Sequence, residues 1–305
     1  MYNNIYMDVF QQGLYFGSYF VFPFLLWCIY RYTVKRSRIV LFLFVLSLLF
    51  VDMRFIEPNI VITREESFSF SAHGENEGTE VRMALLSDIH LGVYRGKRFF
   101  AKTIDTVIAS NPDIVLIPGD FIYYISSEEL VILFEEFSRI DVPIYAVTGN
   151  HDAGYPGPYT SSEIRRAISA SGVIFLDNDI TSIDVKGKKL RLVGLSDLWE
   201  GDTNYSVLKN IRPEDNAIVI AHNPDTVYDF PSYDADLVVS GHTHGGQIRI
   251  PFLYKRAIPS SYGFDKGWYD VESLKVYVTS GLGIIGLPLR FLNLPEVVLI
   301  SSQVY

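Results

Sequence analysis

Apolar and polar positions divide the chain near residue 57. Residues 13–30 form an apolar and aromatic run of 18 residues, close to the ~20 that cross a bilayer as a helix. Pro23 lies inside it and predicts a kink. A basic stretch with Arg31, Lys35, Arg36 and Arg38 follows. Residues 39–51 form a second run of 13 apolar or small residues. It is short for a span unless Arg54 snorkels to the interface. The pattern predicts a membrane anchor of one or two helices over residues 1–56; two buried core helices are the alternative. A signal peptide fits poorly, because no basic residue precedes the first run and no small-residue cleavage site follows it. The positive-inside rule puts residues 31–38 in the cytoplasm. The body then lies on the opposite face if both runs span, and in the cytoplasm if only the first spans or both merely dip into the bilayer; the sequence leaves this open.

Residues 57–80 read as a polar connector. Strand and helix signals then alternate, with strands at 81–87, 113–118 and 143–147 and helices at 99–110, 127–140 and 161–171. The second helix opens on Ser126 or Ser127 with Glu128 and Glu129 in its first turn, and the third ends at Gly172. Strands dominate beyond, at 180–185, 190–195, 217–221, 237–240, 276–280 and 297–301. This order predicts an α/β sandwich of two sheets over residues 81–305.

Composition narrows the class. The chain has 305 residues, 49% hydrophobic and 20% charged, which excludes a disordered chain. Its one cysteine, Cys28, excludes a disulfide framework and a Cys-based zinc site within one chain. Net charge is −9, divided as +2 over residues 1–60 and −11 over the rest. That argues against broad electrostatic binding of nucleic acid. An acidic body that handles anionic substrates needs local cations, and metal ions are one source.

Five of the six histidines fall just past an apolar strand run, together with carboxylates or an amide. The blocks are Asp88-Ile89-His90, Gly119-Asp120, Asn150-His151-Asp152, His222-Asn223 and His242-Thr243-His244. Ligands of α/β sheets gather outside the carboxyl ends of strands, so these blocks converge on one crevice. In extended chain, Asp88/His90 and His242/His244 share a face. Asp88, His90, Asp120, Asn150, His222, His242 and His244 make seven donors, too many for one tetrahedral ion and suited to two ions sharing a carboxylate. Oxygen and imidazole donors without thiolate favour manganese, iron or zinc. His151 is left over beside Asp152, and an imidazole oriented by a carboxylate can protonate a leaving oxygen. Each block alone is an ordinary loop feature, but all five in order are hard to explain as structure alone. His73, in the connector, reads as solvated.

These blocks, with Gly245-Gly246-Gln247 after the last histidine, resemble those of calcineurin-like metallophosphoesterases over about residues 80–302. The resemblance implies a two-sheet βαβαβ sandwich with a dinuclear centre between the sheets. By motif it implies Asp88, His90 and His244 on one ion, Asp120 bridging, and Asn150, His222 and His242 on the second. It makes His151 the catalytic histidine and Asp152 its neighbour. Gly281-Leu282-Gly283, residues 287–291 and Pro295-Glu296 are similar to a bacterial branch of membrane-associated or exported phosphoesterases. One type in that branch cleaves the pyrophosphate of UDP-2,3-diacylglucosamine. Arg290 there is a candidate phosphate contact, or else a surface arginine.

The expectation is a membrane-anchored, dinuclear-metal phosphoester hydrolase of the bacterial inner membrane. Two divalent ions are expected, manganese first, iron or zinc next. The reaction expected is cleavage of a phosphodiester or pyrophosphate in a lipid-linked substrate such as UDP-2,3-diacylglucosamine. Expected partners are the lipid bilayer and a phosphorylated small-molecule or lipid-linked substrate, with no nucleic acid. The competing readings are a non-catalytic metal-binding scaffold, a phosphodiesterase or phosphatase on a soluble substrate, and a nuclease.

Overall fold

The computed structural model describes residues 2–71, 78–125, 132–153, 161–231 and 234–305. His73 and the expected helix start at Ser126–Glu129 fall outside them.

Three helices open the chain: α1 (Tyr2–Gly17), α2 (Val21–Lys35) and α3 (Arg38–Val51). The break that Pro23 predicts falls upstream of it, as a tight turn at Ser18–Phe20. Pro23 therefore sits in the first turn of α2, where its missing N–H would have no intrahelical partner. Arg36, in left-handed backbone (φ 43°), ends α2, and α3 runs back along it with Cys28, Val40 and Ser47 buried between. Arg54 does not snorkel. It is buried at the base of this hairpin, with Nε donating to Ser18 Oγ (3.0 Å) and the guanidinium 4.2 Å from the Tyr15 ring centre. Only 6% of the apolar window in Val9–Lys35 and 11% of that in Arg38–Asn59 is buried, so these are not core helices. Their apolar side chains face outward.

The body contributes β1 (Ile62–Ser69), β2 (Thr79–Leu85), β3 (Leu91–Gly92), α4 (Lys97–Ala109), β4 (Ile114–Pro118), β5 (Ile122–Tyr123), β6 (Ile144–Val147) and β7 (Val173–Phe175). There follow β8 (Asp179–Val185), β9 (Lys188–Leu195), β10 (Ala217–Ala221), β11 (Leu237–Ser240), β12 (Gly267–Val271), β13 (Leu274–Val278) and β14 (Glu296–Val304). One six-stranded sheet has the order β1-β14-β2-β4-β6-β7, the other β12-β13-β11-β10-β9-β8. Central strands are parallel and buried on both faces, which is why Ile114–Pro118 and Ala217–Ala221 read as continuous apolar runs. Alternate residues point to opposite faces. Met83, Leu85, Leu116 and Val147 meet Leu192, Ile218, Ile220 and Val239 between the sheets. Ala84, Val115 and Ile117 pack outward under Phe100 and Ile104 of α4.

The stretch expected as connector, residues 57–80, holds an eight-residue strand. β1 pairs in parallel with β14 along its whole length, at the sheet edge. Its residues alternate between exposed and half-buried, so Arg64, Glu65 and Glu66 are tolerated there and hide the strand in the sequence.

Candidate metal centre

The loops that leave β2, β4, β6, β10 and β11 meet over one crevice and are laced together by backbone bonds. Asp88 N–H donates to Gly119 O (3.1 Å), His90 N–H to Asp120 O (3.1 Å) and Gly241 N–H to His222 O (3.0 Å). The lacing holds Asp88, His90, Asp120, His242 and His244 in left-handed backbone, φ 47° to 68°. That conformation costs each such residue roughly 1–2 kcal/mol. Asp88/His90 and His242/His244 therefore do not share a face by lying in extended chain, as the sequence suggested; turns bring them together.

Two groups of donors result. In the first, His90 Nε2 and His244 Nε2 stand 3.0 Å apart, Asp88 Oδ1 lies 3.5 Å from His244 Nε2, and Asp120 Oδ2 lies 3.5 Å from His90 Nε2. In the second, His242 Nδ1 lies 3.0 Å from Asn150 Oδ1 and 3.1 Å from His222 Nε2. His222 Nε2 is also 3.1 Å from Asp120 Oδ2, so Asp120 touches both groups. His90 and His222 donate from Nδ1 to the Ile122 and Pro118 carbonyls, 3.1 and 2.7 Å away. With that proton fixed, His90 Nε2 turns a lone pair into the centre, and His222 Nε2 would do so once a cation replaces the proton that Asp120 favours on it. The nitrogens turned to the centre confront one another in pairs, His90 Nε2 with His244 Nε2 at 3.0 Å and His222 Nε2 with His242 Nδ1 at 3.1 Å. Lone pairs that face one another in a dry pocket repel unless a cation lies between them. The donor set thus fits divalent metal ions.

Burial sets the charge states. It lowers His90 and His242 to about 3 and His244 well below the ordinary value, which keeps these imidazoles neutral and able to ligate. It raises the Asp88 carboxyl to about 7, against the pull of His222, and the Asp120 charge adds to the rise. Burial would raise Asp120 too, but His222 and His151 hold it well below the usual carboxylate range. His222 is the counterpart: burial lowers it, and Asp120 carries it well above an ordinary histidine.

His151 is half-buried beside the first group. Its ring meets His90 edge-on at 4.9 Å and Tyr123 at 5.4 Å, and its backbone N–H donates to Asp120 Oδ1 (3.0 Å). Asp152 is fully buried and receives N–H groups from Gly149 and Asp120 on Oδ2 (2.9 Å each) and from Phe121 on Oδ1 (2.8 Å). Asp152 is expected from the sequence to orient the His151 imidazole; the bonds it makes are instead to backbone N–H groups of the Asp120 and Gly149 loops, which it holds in place.

Two residues escaped the sequence reading. Asp197, just past β9, is buried, with Oδ2 unpartnered and its charge acting on His222. The same strand-end rule would have found it, since Ser196-Asp197 follows an apolar run. Trp199 stands at the lip, 58% exposed, with its ring 4.3 Å from that of His242. Arg290 is neither a surface arginine nor a phosphate contact. It is fully buried, and among the described residues its side chain donates only to carbonyls, those of Ser280, Gly281, Gly283 and Asn293, at 2.8 to 3.1 Å. It thereby clamps residues 280–283 onto Asp88 and His90, so closely that a Cβ at Gly283 would stand 2.6 Å from His90 Cβ.

The profile of the calcineurin-like phosphoesterases matches residues 81–246, a segment holding all seven donors, His151 and Asp152. The metallophosphoesterase YkuE of Bacillus subtilis is 30% identical over 262 residues, 82% of this chain and 88% of its own. Metallophosphoesterase Cj0846 of Campylobacter jejuni is 30% identical over 273 residues, 86% of this chain and 70% of its own. Phosphodiesterase YaeI of Escherichia coli is 27% identical over 227 residues, 72% of this chain and 81% of its own. The chain belongs to the calcineurin-like phosphoesterase family and is a metal-dependent phosphoester hydrolase.

Proposed function

We propose that this protein is a membrane-anchored phosphodiesterase with a dinuclear centre, acting on a phosphodiester or pyrophosphate carried by a lipid. The observation that carries the dinuclear reading is Asp120, whose carboxylate reaches His90 on one side and His222 on the other. Asp88, His90 and His244 would hold one ion, Asn150, His222 and His242 the other, and Asp120 both. Manganese is the first choice, and iron or zinc suit the same donors. Two such ions supply neutralisation of phosphoryl oxygens and activation of water. The chain's own work is positional and acid–base. Asp152 and Arg290 fix the ligand loops, and His151 at the rim gives a proton to the leaving oxygen as the P–O bond breaks. A diester fits better than a monoester because a relative bears the name phosphodiesterase.

Two features support a lipid-borne substrate. The outward apolar faces of α2 and α3 need a hydrocarbon medium, and from Ser18 to Lys35 a helix rises roughly 26 Å, near bilayer thickness. α1 also reaches the site. Tyr15 stacks on Tyr94 (5.7 Å), Tyr94 lies 5.8 Å from Tyr123, and Tyr123 touches His151. The chain meets the body through Tyr15 of α1 and through Met53 and Glu57 beyond α3, and the basic tip, residues 31–38, lies at the other end of α2 and α3, where the two helices join. The positive-inside rule then puts the tip in the cytoplasm and the body across the membrane. A nucleotide-linked lipid made in the cytoplasm is a poor fit to that orientation.

Detergent-purified protein, stripped of metal and reloaded with manganese, tests the reading. It should cleave bis-p-nitrophenyl phosphate faster than p-nitrophenyl phosphate, dependent on His151. Rapid release of UMP from UDP-2,3-diacylglucosamine would overturn the orientation, and turnover of the monoester alone would overturn the diester assignment.

A further inference from the structure

We infer that the loop of residues 250–257, together with Leu292, is a membrane-docking surface that seats the catalytic body on the bilayer holding α2 and α3. The inference rests on the membrane reading of that hairpin and goes beyond it.

The loop presents an apolar tip to solvent. Phe252 is 95% exposed, and Ile250, Leu253 and Leu292 are also exposed. Clusters of large exposed apolar side chains mark interaction sites rather than ordinary surface. Phe252 (φ 69°) and Leu292 (φ 54°) both take left-handed backbone. Bulky residues rarely adopt it, so the fold holds these two side chains outward against a local preference. The tip is built, not loose. Leu253 N–H and Tyr254 N–H both donate to Ile250 O, at 3.0 and 3.1 Å. Tyr254 stacks under Arg249 (4.1 Å), and both bind Asp265, at 2.9 and 3.0 Å.

Its occupant follows from what the loop is joined to. Ile248 bridges Phe291, and Phe291 N–H donates to Gln247 O (3.1 Å). The neighbouring Arg290 N–H donates to Met53 O (2.9 Å), and Leu292 N–H to Glu57 Oε2 (2.9 Å). Met53 and Glu57 are where the α3 stretch, Arg38–Asn59, enters the body. The apolar tip is therefore continuous with the end of the hairpin, at the level where the bilayer surface lies. Exposed Lys255 and Arg256 flank the tip, the arrangement of an interfacial anchor that dips apolar side chains below anionic headgroups. The occupant is the lipid interface. The loop is wired to the metal centre as well, because Arg249 Nη1 donates to Gly245 O (2.6 Å), next to His244. Docking thus places the crevice where a phosphoester at headgroup depth reaches it.

The full chain, with Cys28→Ser, is labelled with a polarity-sensitive fluorophore at Phe252→Cys, Leu46→Cys or Ile174→Cys, one at a time. Leu46 reports α3, and Ile174 reports β7, at the sheet edge opposite β1. Each is placed in nanodiscs of phosphatidylcholine with phosphatidylglycerol, carrying lipids spin-labelled at shallow or deep positions. The expected result is a blue-shifted probe at 252 quenched by the shallow label, a probe at 46 quenched by the deep label, and a probe at 174 that reports water. Lys255→Glu with Arg256→Glu should weaken quenching at 252 and leave 46 unchanged. A probe at 252 that reports water while 46 is quenched overturns the docking surface and leaves the hairpin reading standing. Water at both positions overturns both.

Discussion

Gly149→Ala adds one methyl group to the loop after β6, at a position where no left-handed φ demands glycine. The new Cβ would stand 2.8 Å from Asp120 Cγ and 2.7 Å from Asp120 N, and nearer still to Oδ1. Carbon atoms in contact sit ~3.5–4.0 Å apart, so the Asp120 carboxylate must retreat by about 1 Å. The clash with Asp120 N cannot be relieved by turning the side chain, so Asp120 shifts as a whole, backbone and carboxylate together, against the 2.9 Å bonds by which Asp152 Oδ2 holds the Gly149 and Asp120 N–H groups. A misplacement of about 1 Å lowers a rate on the order of 10²-fold, equivalent to ~2.7 kcal/mol of transition-state stabilisation. The assay is kcat/KM on bis-p-nitrophenyl phosphate, with metal content by mass spectrometry and a thermal midpoint. Gly96→Ala, which meets nothing within 4 Å, is the matched control. Wild-type activity and metal content in Gly149→Ala would refute the argument that Asp120 is the shared ligand.

His151→Ala should lower kcat by about 10²–10⁴ with metal content unchanged; loss of metal would make His151 a ligand instead. Arg290→Met strands the buried Ser280, Gly283 and Asn293 carbonyls, while the Gly281 carbonyl keeps the Glu296 N–H (3.3 Å); at ~1–3 kcal/mol each when unsatisfied, this should lower the urea midpoint markedly, and an unchanged midpoint contradicts the clamp. Burial pushes the Glu296 carboxyl up, but Arg64 (2.7 Å) and the Ser280 N–H (2.8 Å) hold it below its ordinary 4.5. A depressed folded-state value stabilises the protein above pH 4.5 and is lost as pH falls through it. Wild type should therefore outlast Glu296→Gln in urea at pH 7, and the gap should close in acid. A gap that persists in acid would show that the pair acts through packing alone.

The centre was legible because the central strands are short, apolar and parallel, so that polar residues just past 81–87, 113–118, 143–147, 217–221 and 237–240 had one crevice to enter. Parallel strands buried on both faces leave the clearest trace a strand can leave. What stayed hidden lacked that contrast. β1 is a charged edge strand whose partner, β14, is more than two hundred residues away. Asp197 obeyed the strand-end rule but carried no histidine to draw attention. Arg290 looked like a surface residue because its partners are backbone carbonyls, which any sequence supplies. Phe252 is one apolar letter in a loop; only its exposure, and the loop's link through Phe291 and Arg290 to Met53 beyond α3, give it meaning.

Titration of metal-free protein with manganese, followed by calorimetry and electron paramagnetic resonance, tests the shared-carboxylate centre most directly. Two ions per chain with an exchange-coupled spectrum are expected in wild type, and no coupling in Asp120→Ala. One ion per chain at full phosphodiesterase activity would contradict it.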